Sequence, residues 1–247
     1  MRKLHWPIDE YEIRARLFPA LLVTLPALAA FWILWPTARS VAGIVTGSAI
    51  ESAVIFWLTK IARDQGKKIE GILFAKWDGK PTTVVLRWSD SHFDVFTKER
   101  YRKTLSTMAG LTLPSEAEES NDPVRADQAY ESCVRALLEK RRGKTHRLIF
   151  NENCNYGFVR NLLGLKTTGI LIALASTSVE LILWWKHGFS PTDTVLLPGV
   201  IAILVLGLLI TFATHQAARR TAMAYADALL RSCEPATSRS RMSKEKN

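Results

Sequence analysis

The stretch LLPGVIAILVLGLLITF, residues 196–212, is apolar around the whole circumference of a helix. A helix rises ~1.5 Å per residue, so ~20 such residues cross the ~30 Å hydrocarbon core of a bilayer. A surface helix of a soluble bundle would instead show polar residues every three or four positions. Three further runs have comparable length and character, at residues 17–35, 41–61 and 167–185, and the quoted stretch extends to 194–214. The four runs form two close pairs with a long basic segment between them. This predicts an all-α membrane protein: two transmembrane helical hairpins flanking a mainly helical cytoplasmic domain with little β.

The averages hide this arrangement. Mean hydropathy is only +0.04 and 23% of residues are charged, but the charges lie almost wholly outside the four runs. The expected organisation is a cytoplasmic N-terminal segment (1–16), hairpin 1 (17–61), a basic cytoplasmic domain (62–166), hairpin 2 (167–214) and a basic, partly disordered tail (215–247). Pro19 and Pro26 lie in the first run, where membrane helices tolerate them if neighbours satisfy the freed carbonyls. Its apolar part exceeds the ~7–15 residues of a signal peptide and a second run follows at once, so it is read as retained.

Charge sets the expected orientation. Residues 62–166 carry nineteen Lys/Arg against fourteen Asp/Glu, the tail from Gln216 seven against three, and the first sixteen residues four against three. The short turns within the hairpins carry almost none. Lys/Arg excess marks the cytoplasmic side, and Trp32, Trp35, Trp57, Trp184 and Trp185 fall near run ends, as an interfacial aromatic belt requires. Both termini and the insertion are therefore expected in the cytoplasm, with the protein integral to the inner membrane. Cys133, Cys154 and Cys233 then share a reducing compartment.

Within the insertion, the second run is expected to continue as a helix through residues 63–75. WDGKP at 77–81 reads as a turn, and residues 82–88 as a short strand rich in β-branched side chains. Thr97 is expected to cap a helix to about Met108, with a loop over 109–121. Asp122-Pro123 is a strong helix start, with Tyr130, Val134, Leu137 and Leu138 on one face, and Asn151 is expected to cap another short helix. The basic residues gather at Lys98, Arg100, Arg102 and Lys103, and at Lys140, Arg141, Arg142, Lys144 and Arg147, with Arg160, Lys166 and the strand residue Arg87 nearby. One reading is topological, positive charge beside anionic lipid. The other is an anionic ligand site, for a nucleotide or short single-stranded DNA, with Tyr101 and Tyr156 as stacking faces.

Two carboxylates lie inside the apolar runs. Glu51 follows Gly43 and Gly47 at four-residue intervals, and Glu180 lies one turn beyond Ser176 and Thr177. A carboxylate at bilayer depth faces protein or water, since exposure to lipid costs at least ~2.5–3.5 kcal/mol. Gly43, Gly47, Glu51, Ser176 and Glu180 are therefore candidate pore-lining residues, and plain helix packing is the bland account of the same stripe. Four helices enclose little water, so a pore implies a homo-oligomer, a tetramer being favoured. No nucleophile elbow, zinc motif, phosphate loop or Cys-x-x-Cys is present. No catalytic residue, metal or cofactor is expected, and the protein reads as a non-enzyme.

Several stretches carry a resemblance: Gly79-Lys80-Pro81-Thr82-Thr83 with Leu86-Arg87, Ala126-Asp127 with Tyr130, and Asn153 followed by Tyr156-Gly157-Phe158-x-Arg160-Asn161-Leu162-x-Gly164-Leu165-Lys166. They resemble a pattern in uncharacterised bacterial four-span proteins, whose layout is similar to the membrane effectors of Hailong-type anti-phage systems. Where that pattern has two consecutive arginines, this chain has Val159 before Arg160. The resemblance implies an oligomeric channel whose cytoplasmic domain binds a signal made by a partner nucleotidyltransferase and whose opening depolarises the infected cell. From the residues alone two competitors stand beside it: a membrane-anchored module that recruits a protein or nucleic-acid partner, and a small-solute transporter.

Overall fold

The chain is described here from a computed structural model covering residues 9–34, 41–141, 146–186 and 193–234, with the backbone alone at 33–34, 41–47, 49, 51, 55 and 193–196. In order these form α1 (Glu10–Glu12), a π turn (Ile13–Leu17), α2 (Phe18–Leu34), α3 (Val41–Lys76), α4 (Pro81–Val84), α5 (Val95–Ala109), α6 (Glu116–Asn121), α7 (Pro123–Arg141), α8 (Arg147–Gly164), α9 (Lys166–Lys186), α10 (Asp193–Thr211), α11 (His215–Leu230) and a 3₁₀ turn (Arg231–Cys233). The described residues are mainly helical and contain no strand.

The chain divides into two compact units, Met1–Gly71 with Cys154–Arg219, and Ile72–Asn153 with Arg220–Asn247. The divisions fall inside α3, α8 and α11 rather than at the ends of the apolar runs. In the first unit α2, α9 and α10 pack against one another. Their buried positions are mostly small or hydroxyl-bearing: Ala20, Thr24 and Ala30 on α2, Gly169, Ala173 and Ser176 on α9, and Ala202 on α10, with Val23, Glu180, Val205 and Leu209 beside them. A Cβ on Gly169 would lie 2.8 Å from Leu209 and 3.0 Å from Val23, so this approach requires glycine. Most bulky residues point outward, among them Leu171, Leu174, Ile182 and Trp185 on α9 and Ile203, Leu204 and Ile210 on α10. Water-soluble proteins bury their large apolar side chains. Membrane helices associate through small residues and turn the large ones to lipid.

Among the described residues, two helices are long and apolar enough to cross a bilayer by themselves, Glu10–Trp32 and Lys166–Lys186. Leu197–Thr211 and His215–Cys233 meet the same test as a pair bent by 62°. The protein is thus associated with a membrane. α2 continues through Pro26, as its sequence allows.

The second unit is built on α5 and α7. Its core comprises Val85, Leu86, Tyr101, Leu105, Ala126, Tyr130, Cys133, Val134, Leu137 and Ile149, closed by Ala228, Leu229, Leu230 and Cys233. The end of α11 is therefore part of this core. The predicted α3 extension, the WDGKP turn and the Asp122-Pro123 helix start are present, the last with Asp122 accepting the Arg125 N–H.

Four local expectations need correction. Residues 82–88 are not a strand: Lys80-Pro81 opens the short α4, because proline's fixed φ and missing N–H suit a first helical turn. Asp94 rather than Thr97 caps α5, accepting the Thr97 N–H. The expected loop 109–121 contains α6, set by a reciprocal capping box between Ser115 and Glu118. Asn151 lies inside α8, which begins four residues earlier.

Candidate functional site

Arg87 is the hub of the second unit's polar chemistry. Residues 77–80 turn sharply, with Asp78 at φ 60° and Gly79 at φ 134°, and Arg87 holds that turn. Its guanidinium donates to the Asp78 carboxylate and carbonyl and, through Nε and Nη2, to both oxygens of Asp127 at 2.9 and 2.6 Å. A Cβ on Gly79 would lie 3.2 Å from the guanidinium, so glycine admits it. The Asp127 hydrogen bonds, against partial burial and with help from Asp78, hold Arg87 well above the usual arginine range. Four of five N–H donors are thereby committed. Lys80 pairs with Glu131 at 2.7 Å one turn further along α7.

Behind this turn Arg102 and Glu119 are buried together. Arg102 donates to the Leu86 carbonyl at 2.8 Å, to the Tyr130 hydroxyl at 2.7 Å and to the Pro114 carbonyl, and lies over the Trp88 ring. Glu119 accepts the Trp88 N–H at 2.9 Å and the Tyr130 hydroxyl. Lys98 donates to the carbonyls of Arg87 and Asp90. These cations tie the irregular segment 85–94 to the helices, where unpaired carbonyls would otherwise be buried.

A groove of about 440 Å³ opens beside them, lined by Asp78, Arg87, Ser89, Glu119, Ser120, Pro123, Val124 and Asp127. Three carboxylates face one guanidinium already committed to two of them. The groove therefore carries an acceptor excess suited to a cationic or donor-rich group. Val124, 70% exposed at its rim, adds an apolar contact.

Among the described residues, the other cations are engaged or exposed one by one. Arg100 is exposed and lies 3.8 Å from Glu234. Lys103 and Arg147 are exposed. Lys140 donates to the Met108 carbonyl and Arg141 to the Ser232 carbonyl at 2.9 Å. Arg142 and Lys144 lie outside the described residues, as does the tail after Glu234.

In the first unit Arg160 and Lys166 are also engaged. Arg160, 4% exposed, donates to Glu70 at 2.7 Å and to Asn161, and Glu70 also accepts from Tyr156 and Lys67. Burial works against the Glu70 carboxylate, but Lys67 and Arg160 outweigh it and hold its pKa below the usual range. Asn161, wholly buried, donates to the Ala15 carbonyl at 2.6 Å. A Cβ on Gly164 would lie 2.7 Å from the Gly66 nitrogen, one on Gly66 would lie 2.0 Å from the Asn161 amide oxygen, and one on Gly157 would lie 2.8 Å from Ala15. Lys166 donates to the Ala213 carbonyl at 3.1 Å.

Of the candidate pore residues, Ser176 and Glu180 occupy the buried stripe of α9. Ser176 donates to the Ile172 carbonyl, and the Glu180 carboxylate rests on Gly199 of α10. The helical backbone of α3 includes Gly43, Gly47 and Glu51, and the Glu51 side chain lies outside the described residues. The described α3 residues Ser48, Ile50, Ser52, Val54, Phe56 and Trp57 are all exposed.

Sequence reasoning fixed on the cations and missed their acceptors, Asp78, Asp127, Glu119, Glu70 and Asn161. Two of these residues were on view without their role: Asn161 stands beside Arg160 in one quoted stretch, and Asp127 stands in a different stretch from Arg87. Among the described residues no His, Cys, Asp or Glu groups of three or more are arranged to hold a metal. Comparison with protein families, characterised proteins and solved structures gave no match.

Proposed function

We propose that the chain is a membrane-anchored interaction module: a bundle with a small-residue interior fixes it in the bilayer, and its helical unit recruits a partner protein through the groove beside Arg87. The anchor rests on the inverted packing of α2, α9 and α10, with Gly169, Ala173 and Ser176 inside and Leu171, Leu174 and Trp185 outside. The docking reading rests on the groove's surplus of negative charge: one guanidinium answers two of its three carboxylates, and Asp78, with 89% of its side chain exposed, stays open to a basic or donor-rich segment. Inner-membrane placement with both termini in the cytoplasm follows from the charge distribution and belongs to this proposal.

A second reading has one specific observation in its favour. α3 exposes Ser48 and Ser52 in the run that also carries Glu51, which suits a span covered by further copies around a polar path. The resemblance to anti-phage membrane effectors, with a nucleotide signal and a tetrameric channel, belongs here. Arg100, Lys103, Lys140 and Arg147 would be its remaining anion contacts.

One experiment separates the two. The full chain, reconstituted in liposomes, is titrated with a short Lys/Arg-rich peptide, an Asp/Glu-rich peptide and mononucleotides while ion flux is recorded. The module reading expects the basic peptide alone to bind, weakened several-fold by salt and by Asp78→Asn, with no flux. Asparagine tolerates the left-handed backbone at position 78, so that change tests charge rather than folding. Nucleotide binding with flux, and no binding of the basic peptide, would replace the module with the channel.

A further inference from the structure

Glu180 is 5% exposed, at bilayer depth on α9, in line with Gly169, Ala173 and Ser176. One carboxyl oxygen lies so close to Gly199 that a Cβ there would be 2.7 Å away. The other, Oε1, is buried with no hydrogen-bond partner. Ser176, one turn earlier, already spends its hydroxyl proton on the Ile172 carbonyl. Among the described residues, the helices packed against α9 offer no counter-charge: α2 has no titratable residue, α10 none from Leu197 to Thr211, and α9 itself has, besides Glu180, only Lys166 and Lys186 at its ends. An ionised carboxylate in this surrounding would have neither a cation nor a full set of donors, while a carboxylic acid needs only one acceptor for its proton.

We propose that Glu180 is a proton-binding site at membrane depth, a carboxyl carrying its proton inside the α2–α9–α10 bundle and open to apolar reagents that enter from the lipid. The proposal rests on α9 lying in a bilayer, and on neither docking nor conduction. A lipid-soluble carbodiimide reads the state directly, because it reacts with protonated carboxyls. The carboxyl proton passes to a carbodiimide nitrogen, the carboxylate oxygen bonds to the central carbon as one C=N π bond is lost, and acyl migration to nitrogen gives a stable N-acylurea that retains every atom of both partners.

The full chain in native membranes or liposomes is treated with dicyclohexylcarbodiimide and its peptides are analysed by mass spectrometry. The expected result is an adduct on the peptide carrying Glu180, lost in Glu180→Gln and falling about tenfold per pH unit once the medium is alkaline enough to ionise the carboxyl. Gly199→Ala, which pushes a methyl group into the carboxyl, should reduce the adduct several-fold; in Gly207→Ala, where a Cβ meets nothing within 4 Å, labelling should stay at the wild-type level. A Glu180 peptide that stays unmodified while other carboxyls react, or one labelled equally at acid and alkaline pH, would overturn the proposal. Neither result depends on peptide binding or flux, so it leaves the docking reading to its own test.

Discussion

Arg160 and Glu70 show how single residues set the limits of this fold. Both are nearly enclosed, with 5% and 14% of their side chains exposed, and Tyr156, Lys67 and Asn161 complete their hydrogen bonds. A buried pair of this kind adds little net stability when intact, yet removing one partner strands the other, at about 3–5 kcal/mol. Arg160→Ala should therefore lower thermal stability in detergent far more than Glu70→Gln, which leaves an amide able to bond the guanidinium. The pH dependence follows from the depressed Glu70 pKa. A folded pKa below the unfolded one contributes stability that is complete above about pH 4.3 and is lost as pH falls through the lower folded value. Unfolding monitored down an acid series should show that loss in the wild type, and a flatter acid limb in Glu70→Gln.

Helices meet closely only where the sequence supplies glycine, and here two such positions can be set against each other. Gly164 faces the backbone of Gln65 and Gly66, where a methyl group would come within 2.9 and 2.7 Å. Gly71 has nothing within 4 Å of its missing Cβ. Overpacking costs about 1–3 kcal/mol, whereas an exposed mid-helix glycine is about 1 kcal/mol worse than alanine. Gly164→Ala should lower the melting temperature and Gly71→Ala should raise it. At this scale the sequence was legible wherever a local rule decided the outcome: the turn at WDGKP, the cap at Asp122-Pro123 and the long α3. It misled at residues 82–88, where β-branched residues suggested a strand but Lys80-Pro81 and the core contacts of Val85 and Leu86 favoured a helical turn. Which oxygen each cation would find was not legible, because Arg87–Asp127 and Arg160–Glu70 join residues 40 and 90 positions apart. The quoted motifs thus held the site's geometry, but its charge sign emerged only from tertiary pairing.

Over the whole molecule, the deciding feature is which side chains are hidden. α9 buries glycine, alanine, serine and one glutamate and exposes leucine, isoleucine and tryptophan, and α2 and α10 expose large residues too, although Val23, Val205 and Leu209 are buried. In water that arrangement would leave a large apolar surface uncovered; in lipid it is the packing expected of membrane helices. The most direct measurement is flotation of membranes from cells expressing the full chain after alkaline carbonate and urea washes. The protein should remain with the floating membranes through both washes and be released by detergent alone. Recovery of folded chain in the soluble fraction after either wash would contradict the membrane anchor and everything argued from it.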